Sequence, residues 1–480
     1  MDIKKAKQKG AILIYLIIII LVFLMIMFPI VTLLVAKFKL LATTIEREQA
    51  LQIAEAGINY YEWHLAHFVN DYEDRTNPST VDPNDGHVYT IAPHEYKDFN
   101  TNQTVGDFDL TITAPIAGST IVTIKSNGYT TDNPNIKRTV TVQYGIQSLA
   151  KYAFLSDANI WLAPDETVNG PLMSNNGVRF DGHANALIES TKSTYSPPWV
   201  QGTPCSDPEN GVWCCPRHDA THCPAFSLFH YGPDVPNVPF GAITTGFQKM
   251  QDLAQNHGGI DLGPSGAQGY SLVFNSDGTF TVYKVTALIN LNTDDNNPDY
   301  DPATQSAGNL VYDHRAIPAN GIIFVEDNVW VEGIVKGRAT VAAANLNFGS
   351  TPPTIYIPHS IVYGARDGSD VLGLIAQNNI YVTYGADDVL VVDGALIAQE
   401  GAVIFPGGPV KTSITTFGTV MTYNMWTWTW EDGQNPDGSW HVSSGYAQTY
   451  NNYDSHLLYG PPPSFPVLNS TYQVISWTSD

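Results

Sequence analysis

Basic residues are scarce: Lys and Arg number 23 among 480 residues, against 46 Asp and Glu, for a formal net charge of −23. A phosphate backbone must be met by clustered Lys and Arg, so nucleic acid is excluded as a direct partner. Charge of either sign is thin, 14% of the chain against roughly 25% in an ordinary soluble protein. That disfavours long, salt-bridged surface helices. Cysteine is confined to four positions. No nucleophile elbow, phosphate loop, zinc-protease helix or dinucleotide fingerprint occurs, so no enzyme class and no cofactor is implied. Gly (39), Pro (31) and Tyr (25) are plentiful. They favour a turn-rich β protein with a polar, weakly charged surface, and the length suggests two to four domains.

Long apolar runs are also rare, with one exception at the start. Residues 1–10 carry Lys4, Lys5, Lys7 and Lys9 with one acid, and residues 11–36 carry no charge. As a helix this stretch measures about 39 Å, beyond the roughly 30 Å of a bilayer core and too long for the apolar part of a cleaved secretory signal. Four Lys before it, with only Lys37 and Lys39 soon after, place the N-terminus in the cytoplasm. The rest is expected to be exported after a single membrane pass. Leu34, Phe38, Leu41 and Ile45, then Leu51, Ala54, Ile58, Tyr61, Leu65 and Phe68, recur at helical spacing. This predicts a transmembrane helix over 11–36 continued by an amphipathic one over 37–68, with Pro29 as a kink.

Lys-Gln-Lys-Gly10 followed by Ala11-Ile-Leu-Ile-Tyr15 resembles a prepilin leader, and Ala54-Glu-Ala-Gly57-Ile-Asn-Tyr-Tyr61 resembles the signature of PilX-like minor pilins and pseudopilins. The resemblance covers residues 4–68. It implies cleavage between Gly10 and Ala11 by a prepilin peptidase, methylation of the new amine, and packing of the helix among other pilin-type subunits in a filament. Tyr15 stands where major pilins carry the Glu that sets filament register. This implies a minor, tip or accessory subunit.

Beyond the helix, residues 69–95 read as loop. Alternation in Phe108–Thr113, Thr120–Ile124 and Lys137–Val142, with turns at Asn127-Gly128 and Asp132-Asn-Pro134, predicts a small antiparallel β region over 96–145. From residue 150 the texture becomes repetitive. Gly170-Pro-Leu-Met-Ser-Asn-Asn-Gly177, Gly373-Leu-Ile-Ala-Gln-Asn-Asn379 and Gly394-Ala-Leu-Ile-Ala-Gln-Glu-Gly401 share one pattern, and Asn159-Ile-Trp-Leu162 matches Asn328-Val-Trp-Val331. A period near 20 residues predicts stacked β coils over 151–410, interrupted by an insertion over 191–317. That insertion holds a Cys-rich loop, a helix at 242–257 and a hairpin around Ser276-Asp-Gly278. The wording of 324–335 and of the Leu-Ile-Ala-Gln stretches resembles an uncharacterised bacterial module often attached to PilX-like N-termini. Residues 411–480 read as a C-terminal hairpin and an ordered tail pinned on the solenoid. The expected fold class is α+β: a long N-terminal helix, a small antiparallel pilin-like region, and a mainly β head resembling a right-handed solenoid.

Several clusters could carry chemistry. Cys205, Cys214, Cys215 and Cys223 surround His218 and His222. In an exported chain they suit disulfides, with 205–214/215–223 and 205–215/214–223 leading, while thiolates and imidazoles also suit zinc. Asp294, Asp295, Asn297, Asp299 and Asp301 offer hard oxygens to Ca²⁺ or form a solvated loop. Trp426, Trp428 and Trp430 alternate on one strand face, able to stack on surface glycans or meet a protein. Asp367, Asp370, Asp387, Asp388 and Asp393 keep open a glycan-active β-helix enzyme. The leading expectation is a pilin-like structural protein of membrane or cell surface, displaying its head for adhesion or assembly. An uncleaved surface anchor is the alternative.

Overall fold

The computed structural model describes residues 3–74, 86–163, 166–197, 208–214, 223–240, 242–289, 301–302, 309–347, 349–434, 440–468 and 470–480. Helix α1 spans Ile3–His67 without a break, with Pro29 inside it. Its first half stands clear of the protein: Met25 is 79% exposed, and the most apolar stretch of the helix is bare throughout. Its second half buries Ala50, Ile53, Ala54, Ile58, Tyr61 and Leu65. Of the expected stripe this keeps Ala54, Ile58, Tyr61 and Leu65, whereas Leu34, Phe38, Leu41, Ile45 and Phe68 are exposed and Leu51 is half-buried; Ala50 and Ile53 join in their place.

That stripe packs on a five-stranded antiparallel sheet. Val88–Lys97, Thr104–Thr113, Val122–Thr130 and Lys137–Gly145 lie in chain order, and Gln473–Ser479 adds a fifth strand. Three differences from the sequence reading emerge. The first strand takes up part of the supposed loop; its Pro93 sits in a register shift between Ile91 and His94, where the missing N–H interrupts no pairing. Asn127-Gly128 lies inside a strand rather than in a turn, because α1 crosses there. A Cβ on Gly128 would overlap the backbone of Ala50 and Ala54, and one on Gly57 would overlap the Ser126 hydroxyl. The tail, finally, runs past the head and ends on this sheet.

Residues 154–453 form a β-solenoid of three parallel ladders. The first runs, in spatial order, through 260–262, 322–325, 338–343, 371–376, 394–398, 419–422, 154–156, 172–174, 188–190 and 229–231. The chain order is therefore permuted, since the last coil of the head stacks on its first. One pair of repeated motifs falls in register, Leu374 pairing with Leu396. The Val329 strand lies in a second ladder that runs to Trp426–Thr427, and the Ile160 strand lies in a separate three-stranded sheet with Val178–Phe180 and Val212–Trp213. Leu372, Leu374 and Ala376 point into the interior and Ile375 into a second apolar layer outside, so both faces must be apolar, as in a buried parallel sheet. Corner asparagines join successive coils. Asn159, Asn328 and Asn379 accept through Oδ1 from the backbone N–H of Gly177, Thr354 and Ala402 at 3.0, 2.9 and 2.8 Å.

The outer apolar layer is covered by the segment between residues 231 and 260, which leaves one end of the stack and re-enters at the other. The expected insertion over 191–317 is thus in part built into the stack, since 229–231, 260–262 and 269–274 pair within it. Val235, Val238 and Phe240 lead into helix α2 (Ala242–Asn256), whose Phe247, Met250, Leu253 and Ala254 close the layer. Asn175 pins this strap, donating to the Val238 carbonyl at 2.7 Å and accepting from its N–H at 2.9 Å. The expected hairpin forms between Gly269–Phe274 and Thr279–Val285, joined by Leu310–Ala316.

Solenoid and sheet are clamped by Arg338. Its guanidinium donates to the carbonyls of Gly368, Ala117, Gly118, Gly460 and Pro461 at 2.6–3.2 Å. Thr340 adds a bond to the Pro463 carbonyl at 2.6 Å. Burial lowers the Arg338 pKa against the opposing pulls of Tyr363 and Asp454, the cost of taking a cation out of water.

Candidate functional site

The seam where the last coil meets the first differs between the three ladders. In the first, Val420 pairs directly with Phe154. In the third, strand Trp440–Tyr453 is interposed, pairing parallel with Val410–Gly418 on one side and with Val168–Asn169 on the other. One additional strand separates coils by about 4.8 Å, so the seam is wedged open away from the first ladder. Among the described residues Trp426–Thr427 pairs only with Val403–Ile404 in the second ladder, and Ile160–Leu162 only with Val178–Phe180. Between these two edges lies a cleft of about 310 Å³.

Aromatic side chains dominate its walls: Phe154 and Trp161 from one coil, Trp426, Trp428 and Trp430 from the other. Sequence alternation placed the three tryptophans on one strand face. The structure breaks that row, because the Thr427 hydroxyl accepts from the Thr429 N–H at 3.2 Å and bends the strand. Trp428 turns into the core at 2% exposure, edge-on to Trp426 with centroids 6.2 Å apart. Trp426 lies 4.1 Å from Phe154. Trp430 donates to the Phe405 carbonyl at 2.8 Å, and Trp161 to Asp181 at 3.0 Å beneath the Arg179 guanidinium. The indole N–H groups of Trp426 and Trp428, both buried, meet no acceptor. Glu166, which accepts from the Thr449 hydroxyl at 2.6 Å, and Glu431 supply the carboxylates lining the cleft. Phe154, Trp161 and Glu166 carried no local signal for this role, since their partners lie at the far end of the head's sequence.

The other sequence-derived candidates are dispersed. Gly10 and Ala11 fall within α1, and Tyr15 is 68% exposed. Cys214 is bonded to Cys223, with Cα atoms 5.8 Å apart, the pairing found in the 205–215/214–223 arrangement. Cys205, Cys215, His218 and His222 lie outside the described residues, as do Asp294, Asp295, Asn297 and Asp299. Asp301 belongs to a two-residue strand opposite Ile289. Among the described residues no group of His, Cys, Asp and Glu is gathered for a metal ion.

Four of the five solenoid acids work as turn caps, while Asp393 is buried within strand Val389–Ala398. Asp370 accepts from the N–H of Gly337 and Ala365, each at 2.7 Å. Asp367 and Asp388 are held below the usual carboxylate range by Ser369 and Thr412 respectively. Burial works against Asp387, yet His359 and Ser360 hold its carboxyl low. Burial raises the Asp393 carboxyl, against the pull of Arg366 at 2.7 Å and the Tyr363 N–H at 2.9 Å. None of the five lines the cleft.

No protein-family model and no curated protein sequence matches the chain. Among solved structures, the crystal structure of the competence-associated pilin ComZ from Thermus thermophilus is similar at 13% identity over 91% of this chain and 97% of that one. Its TM-score is 0.28, too slight a likeness to bear on function.

Proposed function

We propose that this chain is a pilin-like structural subunit, anchored by α1 in a membrane or filament and displaying the solenoid outside the cell. The division of α1 carries this reading: one continuous helix whose apolar half is bare and whose other half is packed on a sheet. A bare helix of that hydropathy needs lipid or like helices around it. The Lys-rich leader ending at Gly10 supports release of the helix by a prepilin-type peptidase, and other pilin-type subunits are the partners that then surround it. The capping roles of four of the solenoid acids favour display over catalysis. Intact mass of native protein tests the reading: a chain beginning at N-methylated Ala11 is expected. Mature protein retaining Met1–Gly10 would overturn processing and leave an uncleaved surface anchor.

A further inference from the structure

We propose that the seam cleft binds one ring of a neutral saccharide. The wedge decides the shape of the ligand. Beside the first ladder the coils are one strand spacing apart, and beside the third they are two, about 4.8 and 9.6 Å. What fits is a slab about one ring thick. A volume of about 310 Å³ lies at the lower end of small-ligand sites, roughly 300–1,000 Å³. The walls decide the chemistry. Aromatic surfaces suit the C–H face of a sugar ring. The indole N–H groups of Trp426 and Trp428 are buried and lack acceptors in the protein; a ring or hydroxyl oxygen satisfies them only when these two side chains turn toward the cleft. Glu166 and Glu431 accept hydroxyl protons, and no Lys, Arg or His stands among the described lining residues, so uronic and sialic acids are disfavoured.

An extended peptide would use the same two edges as an added strand. It needs a full second spacing along its whole length, and the Val420–Phe154 pairing denies that at one end. This inference gives the display reading a ligand class and rests on it only for where the sugar is met.

The test uses the full chain in lipid nanodiscs, titrated calorimetrically with maltotriose, cellotriose, galactobiose and chitotriose. Sialyllactose and an extended Thr-Val peptide serve as contrasts. At least one neutral sugar is expected to bind, with affinity falling about tenfold or more in Trp428→Phe and in Glu166→Gln. Glu166→Gln, at the partly exposed wall, carries the test where Trp428→Phe does not fold. Absence of neutral-sugar binding up to about 10 mM, binding of the peptide instead, or binding undiminished in Glu166→Gln would overturn the proposal. The mass of the mature N-terminus, read separately, is unaffected by either result.

Discussion

Val420 of the last coil lies parallel to Phe154 of the first, its N–H donating to the Ala153 carbonyl at 2.9 Å. This pair makes one stack out of two stretches of chain separated by the segment between residues 231 and 260. It also fixes the narrow side of the wedge whose open side is the aromatic cleft. Long-range closure of this kind cannot be gained until the last coil exists, so the head completes its core late.

The crossing of α1 over the sheet depends on bare backbone at Gly128. Gly128→Val is expected to push the helix off and cost about 1–3 kcal/mol, as overpacking does. The measurement is thermal melting together with protease cleavage of the region around Ala50, which should become exposed while the solenoid stays resistant.

Arg338 is the joint between head and sheet. Arg338→Ala leaves five carbonyls without their donor and is expected to cost about 2–3 kcal/mol or more. Arg338→Lys should recover little, because an ammonium cannot reproduce the planar fork. Denaturant unfolding, with proteolysis of residues 455–468 as the local probe, distinguishes the two.

Asn175 holds the strap before α2 through its side-chain amide. Asn175→Ala removes a donor and an acceptor from the buried backbone of Val238 and should lower stability by about 1–3 kcal/mol. Hydrogen exchange should rise at residues 232–256 before it rises in the interior ladders.

Asp387 gives the third-ladder corner an acid-sensitive element. Its folded pKa lies below the unfolded value of about 3.9, because His359 and Ser360 outweigh burial. The stabilisation is therefore present above that value and lost as pH falls through the folded pKa. Asp387→Asn should lower the melting temperature at pH 7, and the gap to the parent protein should narrow as pH falls below the unfolded value of about 3.9.

Local pattern alone determined the helix, its apolar and packed halves, the antiparallel strands and the coil motif. Each rests on a period written in adjacent residues: 3.6 in Ala50–Leu65, 2 in Phe108–Thr113, and a recurring Leu-Ile-Ala in the first ladder. Pro93 and Gly128 misled that reading because their meaning is set by a bulge and a crossing helix. Only the tertiary structure decided the order of the coils, the return of the tail to the sheet, and the cleft. Val420 meets Phe154, and Gln473–Ser479 meets Lys137–Gly145, by pairing between distant segments that no sequence period records. The tryptophans at 426, 428 and 430 were visible from the start, but that they wall a wedge rather than a flat face depends on one inserted strand, Trp440–Tyr453.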